Sequence, residues 1–221
     1  LKYDMPVNAI TFTPVFLDRI GHVIVKDNEH NITGAQLADD IHDYPTFSNV
    51  HAAEGGSVHY HSYQDDGETE NTTIYLDEDG NLVIDGEGTA ILEAHVSHKK
   101  TVDGNEQDCH SVARCKVTYT KSQLKFSGST FDVATNLVSE FEEPTLVLPD
   151  VLKDVDAEYS ISAGSIDSET GNVTKLEGTT ATVTATIADN LYYNPTAKYI
   201  INILAAMVPF TVIEEITIPV G

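Results

Sequence analysis

The sequence predicts an all-β chain built as two β-sandwiches in tandem. Three observations carry that expectation. Short runs alternate apolar and polar residues, turn residues separate them, and the second half of the chain repeats the first. At 221 residues the chain is long enough for two domains of about 100 residues each.

The repeat is read from ordered matches. Residues 88–96 read GTAILEAHV and residues 179–187 read TTATVTATI. Gly80-Asn81 in the first half corresponds to Gly171-Asn172 in the second, and Ala94 to Ala185. Upstream, Tyr60 corresponds to Tyr159 and Pro45-Thr46 to Pro144-Thr145, while ITFT (10–13) is similar to LKFS (124–127). One shared order with nearly one spacing makes the set improbable by chance. The first copy carries three insertions: between Phe12 and Pro45, after Tyr60 (YQDDGETENT), and between Ala94 and Tyr119. The expected division is 1–120 for a decorated first domain, 121–204 for a plain second one, and 205–221 for a strand-forming tail.

Each element follows from its pattern. Side chains alternate faces along a strand, so Ala90, Leu92, Ala94 and Val96 form one buried row with Glu93, His95 and Ser97 facing out. In the second copy Ala181, Val183, Ala185 and Ile187 point inward and Thr182, Thr184 and Thr186 outward. The segments DEDGN and SETGN are turns ahead of new strands. One helical pattern stands out, GAQLADDIHDY (34–44), where Leu37, Ile41 and Tyr44 share a face. It lies in the first insertion and predicts a short helix on the first domain. The tail reads FTVIEEITIPV over 210–220, one long strand or two short ones. Such a strand pairs within the chain or serves as an assembly device between chains.

Charge narrows the function classes. Thirty-five acidic residues face twelve basic ones, for a formal charge of −23. Nothing here neutralises a row of phosphates, so nucleic acid is excluded as a partner, and an anionic membrane surface with it. No apolar run approaches the roughly 20 residues that span a bilayer. No signal peptide is present, and the expectation is that an export signal or lipid anchor has been trimmed ahead of Leu1.

Candidate chemistry is sparse. No G-x-S-x-G, phosphate-binding loop or H-E-x-x-H occurs, so no catalytic residue is assigned and the chain is read as a non-enzyme. All nine histidines lie in the first 110 residues, and His59 and His61 flank Tyr60 on one strand face. With Asp77 and Asp79 in the acidic turn they are the candidate metal ligands, Ca²⁺ being the ion for hard oxygen donors. A Glu at the closing position of an EF-hand is missing, since Gly88 stands there, and the alternative is a solvated strand face. Tyr63, Tyr192 and Tyr193 are the candidate ligand-stacking residues, in a chain without Trp. Cys109 and Cys115 in CHSVARC are expected to close a small disulfide loop, which would indicate an oxidising compartment. Free thiols, or a metal pair with His110 or His98, are the alternatives.

The second copy resembles the bacterial immunoglobulin-like domains of group 2, of the type found on surface proteins of gut anaerobes. The resemblance rests on Pro144 to Leu146, Tyr159-Ser160, Asp167 with Thr170 to Val173, Gly178 to Ala185, and Tyr193-Asn194. It covers that copy essentially in full and the first copy more weakly. It implies two tandem immunoglobulin-like β-sandwich domains, the first with insertions including a short helix. It also implies a cell-surface or secreted location outside the cytoplasm. The function expected is adhesion or ligand binding, with a glycan or a surface or host protein as partner. The alternative is a purely structural stalk, or a subunit of a larger surface assembly. The family carries no catalytic motif to transfer, and no cofactor is expected beyond the Ca²⁺ already named.

Overall fold

A computed structural model describes residues 24–25, 27–40, 44–48 and 56–208. The described residues divide into two compact units. One takes 24–25, 27–31, 44–48 and 56–118, and the other takes 32–40 and 119–208. Both are all-β sandwiches of immunoglobulin-like strand order.

In the first unit the strands are β1 (Ile24–Val25), β2 (Glu29–Thr33), β3 (Phe47–Ser48), β4 (Ser57–Tyr63), β5 (Ile74–Leu76), β6 (Leu82–Ile84), β7 (Gly88–Val102) and β8 (Asn105–Thr120). A four-stranded sheet runs β2-β8-β7-β4, leaving β4 on an edge. The pair β1-β3 and the hairpin β5-β6 complete the unit. The expected buried row is found: Ala90, Leu92, Ala94 and Val96 are all fully buried. Ala113, Cys115 and Val117 on β8 and Ile74, Leu76 and Ile84 on the hairpin join them in the core. Burying a Leu, Ile or Val side chain contributes about 1.5–3 kcal/mol.

The second unit repeats this order. Its strands are β9 (Ser122–Gln123), β10 (Lys125–Phe126), β11 (Thr130–Ala134), β12 (Leu146–Val147), β13 (Ala157–Ile161), β14 (Gly164–Ile166), β15 (Val173–Leu176), β16 (Thr180–Ile187), β17 (Tyr193–Asn194) and β18 (Thr196–Leu204). The sheet runs β11-β18-β16-β13, with β11 parallel to β18 and the other pairs antiparallel. The pair β10-β12 corresponds to β1-β3, and β14-β15 to β5-β6. Inside, Tyr199 meets Phe126 and Phe131 edge to face at 4.8 and 5.7 Å.

The matched residues occupy equivalent places. Tyr60 pairs with Ala94, and Tyr159 with Ala185. A Cβ on Gly80 would fall 2.5 Å from the Tyr60 ring, and one on Gly171 2.9 Å from the Tyr159 ring. Both glycines also have positive φ, 82° and 78°. The two units therefore make the same Tyr–Gly–Ala packing contact.

The insertions differ from expectation in two places. The strand that pairs as Lys125–Phe126 does is Ile24–Val25, and it lies as far ahead of β3 as β10 lies ahead of β12, to within a few residues. Residues 10–13, matched to 124–127 in sequence, lie outside the described residues. The helix thus occupies the connection after β2, where a 3-10 turn (Val138–Glu140) follows β11. The third insertion is a hairpin extension of β7 and β8, turned at Asp103-Gly104 with positive φ at both, 51° and 80°.

The helix α1 spans Gly34–Ala38. Thr33 caps it by accepting the Gln36 N–H, and Gln36 Oε1 accepts the Thr33 N–H in return. It ends early because Asp40 turns left-handed at φ 51°. Residues 41–43 lie outside the described residues. The Ala35 N–H donates to Ser122 Oγ at 2.8 Å, and Gly34 lies against the Tyr192 carbonyl, where any Cβ would collide. Of the tail, residues 205–208 are described. Asn136 brackets Met207 with two hydrogen bonds, 2.9 and 3.0 Å, and the expected strand at 210–220 lies outside the described residues.

The disulfide is not formed: Cys109 and Cys115 are both free thiols. They sit on one face of the uninterrupted strand β8, not in a loop. Six residues of extended chain separate their Cα atoms by about 20 Å, and a disulfide spans at most about 7 Å.

Candidate functional site

Alternation on β4 turns His59, His61 and Tyr63 to the outer face and Ser62 inward. The inserted segment 64–73 then folds back along this edge strand. Asp66 organises it, with Oδ1 accepting the N–H groups of Glu68 and Thr69 and Oδ2 accepting the Thr69 hydroxyl at 2.6 Å. These bonds, the Thr69 hydroxyl first, hold the Asp66 carboxyl below its ordinary pKa. Asn71 closes the segment. Its side chain accepts from Thr73 and Ile74 N–H and donates to the Thr89 carbonyl. The Asn71 N–H donates to the Ser62 carbonyl at 2.8 Å, and Lys116 reaches Asp65 at 2.6 Å.

Between this pinned segment and β4 lies a half-open groove of about 550 Å³. Tyr63 and His61 stack along one side, 6.0 Å apart and tilted by 20°. Tyr75, Glu68 and Glu70 line the rest with Tyr60. Among the described lining residues none is Lys or Arg. Such a groove offers flat ring faces beside exposed carboxylate acceptors. That suits a ligand with both C–H surface and hydroxyl or ammonium donors.

The other sequence candidates are placed as follows. Tyr192 and Tyr193 are half-buried in the second unit. Tyr193 packs on the core there and burial raises its hydroxyl pKa, while Tyr192 contributes backbone contacts to Ser122 and Gly34. They are framework and not part of the groove. Asp77 Oδ1 accepts the N–H groups of Asp79 and Asn81 at 3.0 and 2.7 Å, and Oδ2 accepts from the Asn81 amide at 3.0 Å. Asp167 accepts from Glu169 and Thr170 in the matching turn. Both acidic turns use their Asp to close a hairpin. The His59 and His61 rings stand 6.3 Å apart on this strand face; His59 also lines a hollow with Asp77, and His61 lines the groove. Among the described residues no three His, Cys, Asp or Glu side chains converge as a ready metal site. His30 is buried on β2, and His22, His42 and His51 lie outside the described residues.

The residues shared by both copies line a hollow at the same place in each unit. Pro45, Thr46, Tyr60, Gly80 and Asn81 form one, and Pro144, Thr145, Tyr159, Gly171 and Asn172 the other. Shared lining points to common architecture. The groove at 60–76 differs, because its wall is an insertion the second copy lacks. Tyr75 carries no signal of its own in the sequence, and Glu68 and Glu70 stand out only as part of the acidic run DDGETE (65–70). The signal available was the insertion after Tyr60 itself, rich in carboxylates and carrying Tyr63 at its start.

No protein-family model matches the chain, and no curated protein matches it. Solved structures do. The human mucin-like protocadherin EC1-2 aligns over 84% of this chain and 99% of its own at 12% identity and TM-score 0.25. Drosophila N-cadherin EC1-3 aligns over 84% and 68% at 11% identity and TM-score 0.27. A SusE-like, surface-located polysaccharide-binding protein from the heparin utilisation locus of Bacteroides thetaiotaomicron aligns over 83% of this chain at 12% identity and TM-score 0.27. This chain spans 34% of that protein's length. These neighbours are extracellular or surface domains, but at such scores they say nothing of function here, and the fold class rests on the strand order above. Among the described residues no helix is long and apolar enough to cross a membrane.

Proposed function

We propose that the chain is a non-enzymatic, extracytoplasmic binding protein of group 2 immunoglobulin-like type that recognises a neutral or amino-substituted glycan through its first unit. The carrying observation is the groove between β4 and the inserted segment, with Tyr63, His61 and Tyr75 beside Glu68 and Glu70. The ring faces pack against a sugar's C–H face, and the carboxylates accept hydrogen bonds from its hydroxyls. The charge of −23 and the acidic lining repel uronate and sulfate groups, which selects against acidic polysaccharides. Glu68 and Glu70 are both exposed, without the burial that tunes a carboxylic acid for proton transfer. The second unit, lacking the insertion, acts as the spacer.

The test is a glycan array carrying neutral, amino and acidic oligosaccharides, probed with the full chain and with Tyr63→Ala and Tyr75→Ala. Binding to neutral or amino glycans that both substitutions abolish supports the proposal. Retention of wild-type signal by both variants places recognition elsewhere. Silence across the array favours the structural, stalk-like role.

A further inference from the structure

A second feature lies on the outer face of the first unit's sheet, outside the groove. His95 on β7 and His110 on β8 face each other, with His95 Nε2 3.2 Å from His110 Nδ1 and the rings 5.4 Å apart. Strand pairing places His59 of β4 directly opposite His95. Three imidazoles therefore stand on three adjacent strands, all on the face opposite the buried Ala94 and Val96.

We propose that these three histidines form a transition-metal site for Zn²⁺, with His95 and His110 as a preformed pair and His59 as the third ligand. The distance carries the argument. Zn–N bonds of about 2.0–2.1 Å at tetrahedral angles set two ligand nitrogens about 3.3 Å apart. The pair already stands at 3.2 Å. Without metal, one ring N–H donates to the bare nitrogen of the other; on binding, the donor ring releases that proton to water and carries its hydrogen on its other nitrogen, so that both facing nitrogens present lone pairs to a Zn²⁺ ion lying off the line between them. His59 is exposed and its ring stands 6.3 Å from His61 in the structure, so its side chain has to turn toward the pair to become the third ligand. Directly opposed Cβ atoms in a sheet are about 5 Å apart, within an imidazole's reach.

The neighbours on this face are otherwise engaged. Glu93 accepts from Arg114 Nε at 2.6 Å, His61 stacks on Tyr63, Lys99 pairs with Glu106, and Ser57 bonds Ser97. The fourth coordination position therefore goes to water, giving an open three-histidine site. The chain's acidic surface raises the local concentration of divalent cations. The site does not depend on the glycan reading, since none of its ligands lines the groove.

The experiment is calorimetric titration of the full chain with ZnCl₂ at pH 7.5, repeated with His95→Ala, His110→Ala and His59→Ala. Co²⁺ substitution supplies a d–d absorption band that reports tetrahedral nitrogen ligation. Wild type is expected to bind one Zn²⁺ at this site. Loss of a partner beyond the ligand shell alone costs 10–100-fold. His95→Ala and His110→Ala should therefore each weaken binding by about 100-fold or more and remove the Co²⁺ band. His59→Ala should weaken it by at least about tenfold. All three substitutions are at solvent-facing positions, and unchanged apo melting curves check that the variants fold. Wild-type affinity in His95→Ala or His110→Ala overturns the proposal. Unchanged affinity in His59→Ala alone overturns the assignment of the third ligand.

Discussion

Gly80→Ala isolates the contact that the two copies share. Two costs add. A residue with a Cβ held at φ 82° pays about 1–2 kcal/mol for the left-handed conformation. The new Cβ also falls 2.5 Å from Tyr60 Cζ and 2.7 Å from its hydroxyl, so the half-buried ring must move. Overpacking of that kind costs about 1–3 kcal/mol, and the sum is about 2–5 kcal/mol. Gly67→Ala is the matched control. Its φ is 72° but nothing lies within 4 Å of the added Cβ, so it should cost the backbone portion alone. Urea unfolding followed by far-UV circular dichroism suits a chain without Trp. At a slope of about 1–3 kcal/mol/M the Gly80→Ala midpoint should drop by on the order of 1–2 M. In a Tyr60→Ala background the same substitution should cost about what Gly67→Ala costs, because the ring it displaces is gone. Equal penalties for Gly80→Ala and Gly67→Ala in the wild-type background would refute the reasoning.

Three further outcomes follow from the structure. Thiol titration of the unreduced, unfolded chain should count two free thiols. In the native state Cys115 should resist alkylation, since burial, with the charge of Asp27 second, pushes its pKa up to about 11. A count of zero would restore the disulfide. Acid sensitivity should trace partly to Asp77, whose carboxyl is held low first by the Asn81 side chain and then by the Asn81 N–H. A folded-state pKa below the unfolded one means the contribution is present above pH 4 and is lost as pH falls through the folded value. Asp77→Asn should therefore flatten the melting temperature against pH below 4, and an unaltered acid slope would contradict this. Leu92→Ala, at a fully buried position, should cost about 2–5 kcal/mol in the same urea assay.

Much of the fold was legible because period-2 alternation and repeated turn residues are local signals. Ala90 to Val96 and Ala181 to Ile187 faced inward as their pattern required, and Gly80 and Gly171 marked real turns. Pairing was less legible, because it is decided by partners far along the chain. The strand equivalent to 125–126 proved to be 24–25, which no residue match indicated. The cysteines misled for a related reason. Spacing in CHSVARC suggests a loop, yet the same residues alternate as Ser111, Ala113 and Cys115 inward with His110, Val112 and Arg114 outward. That alternation, with the Asp-Gly turn at 103–104, identifies a hairpin that sets His95 and His110 on one face. In the site, Tyr63 was legible as an aromatic on a strand face, but its partners Tyr75, Glu68 and Glu70 come from the fold-back of an insertion. Tyr192 and Tyr193 read as loop aromatics of which alternation turns at least one inward, and Tyr193 packs on the second unit's core.

The most direct test of the central claim is the affinity of the full chain for the best glycan on a mixed array, measured against Tyr63→Ala with thermal stability matched. The account predicts a neutral or amino glycan, a loss of at least tenfold on truncating Tyr63, and no gain from sulfated or uronate-bearing sugars. Preferred binding to an acidic glycan, or full affinity without the Tyr63 ring, would contradict it.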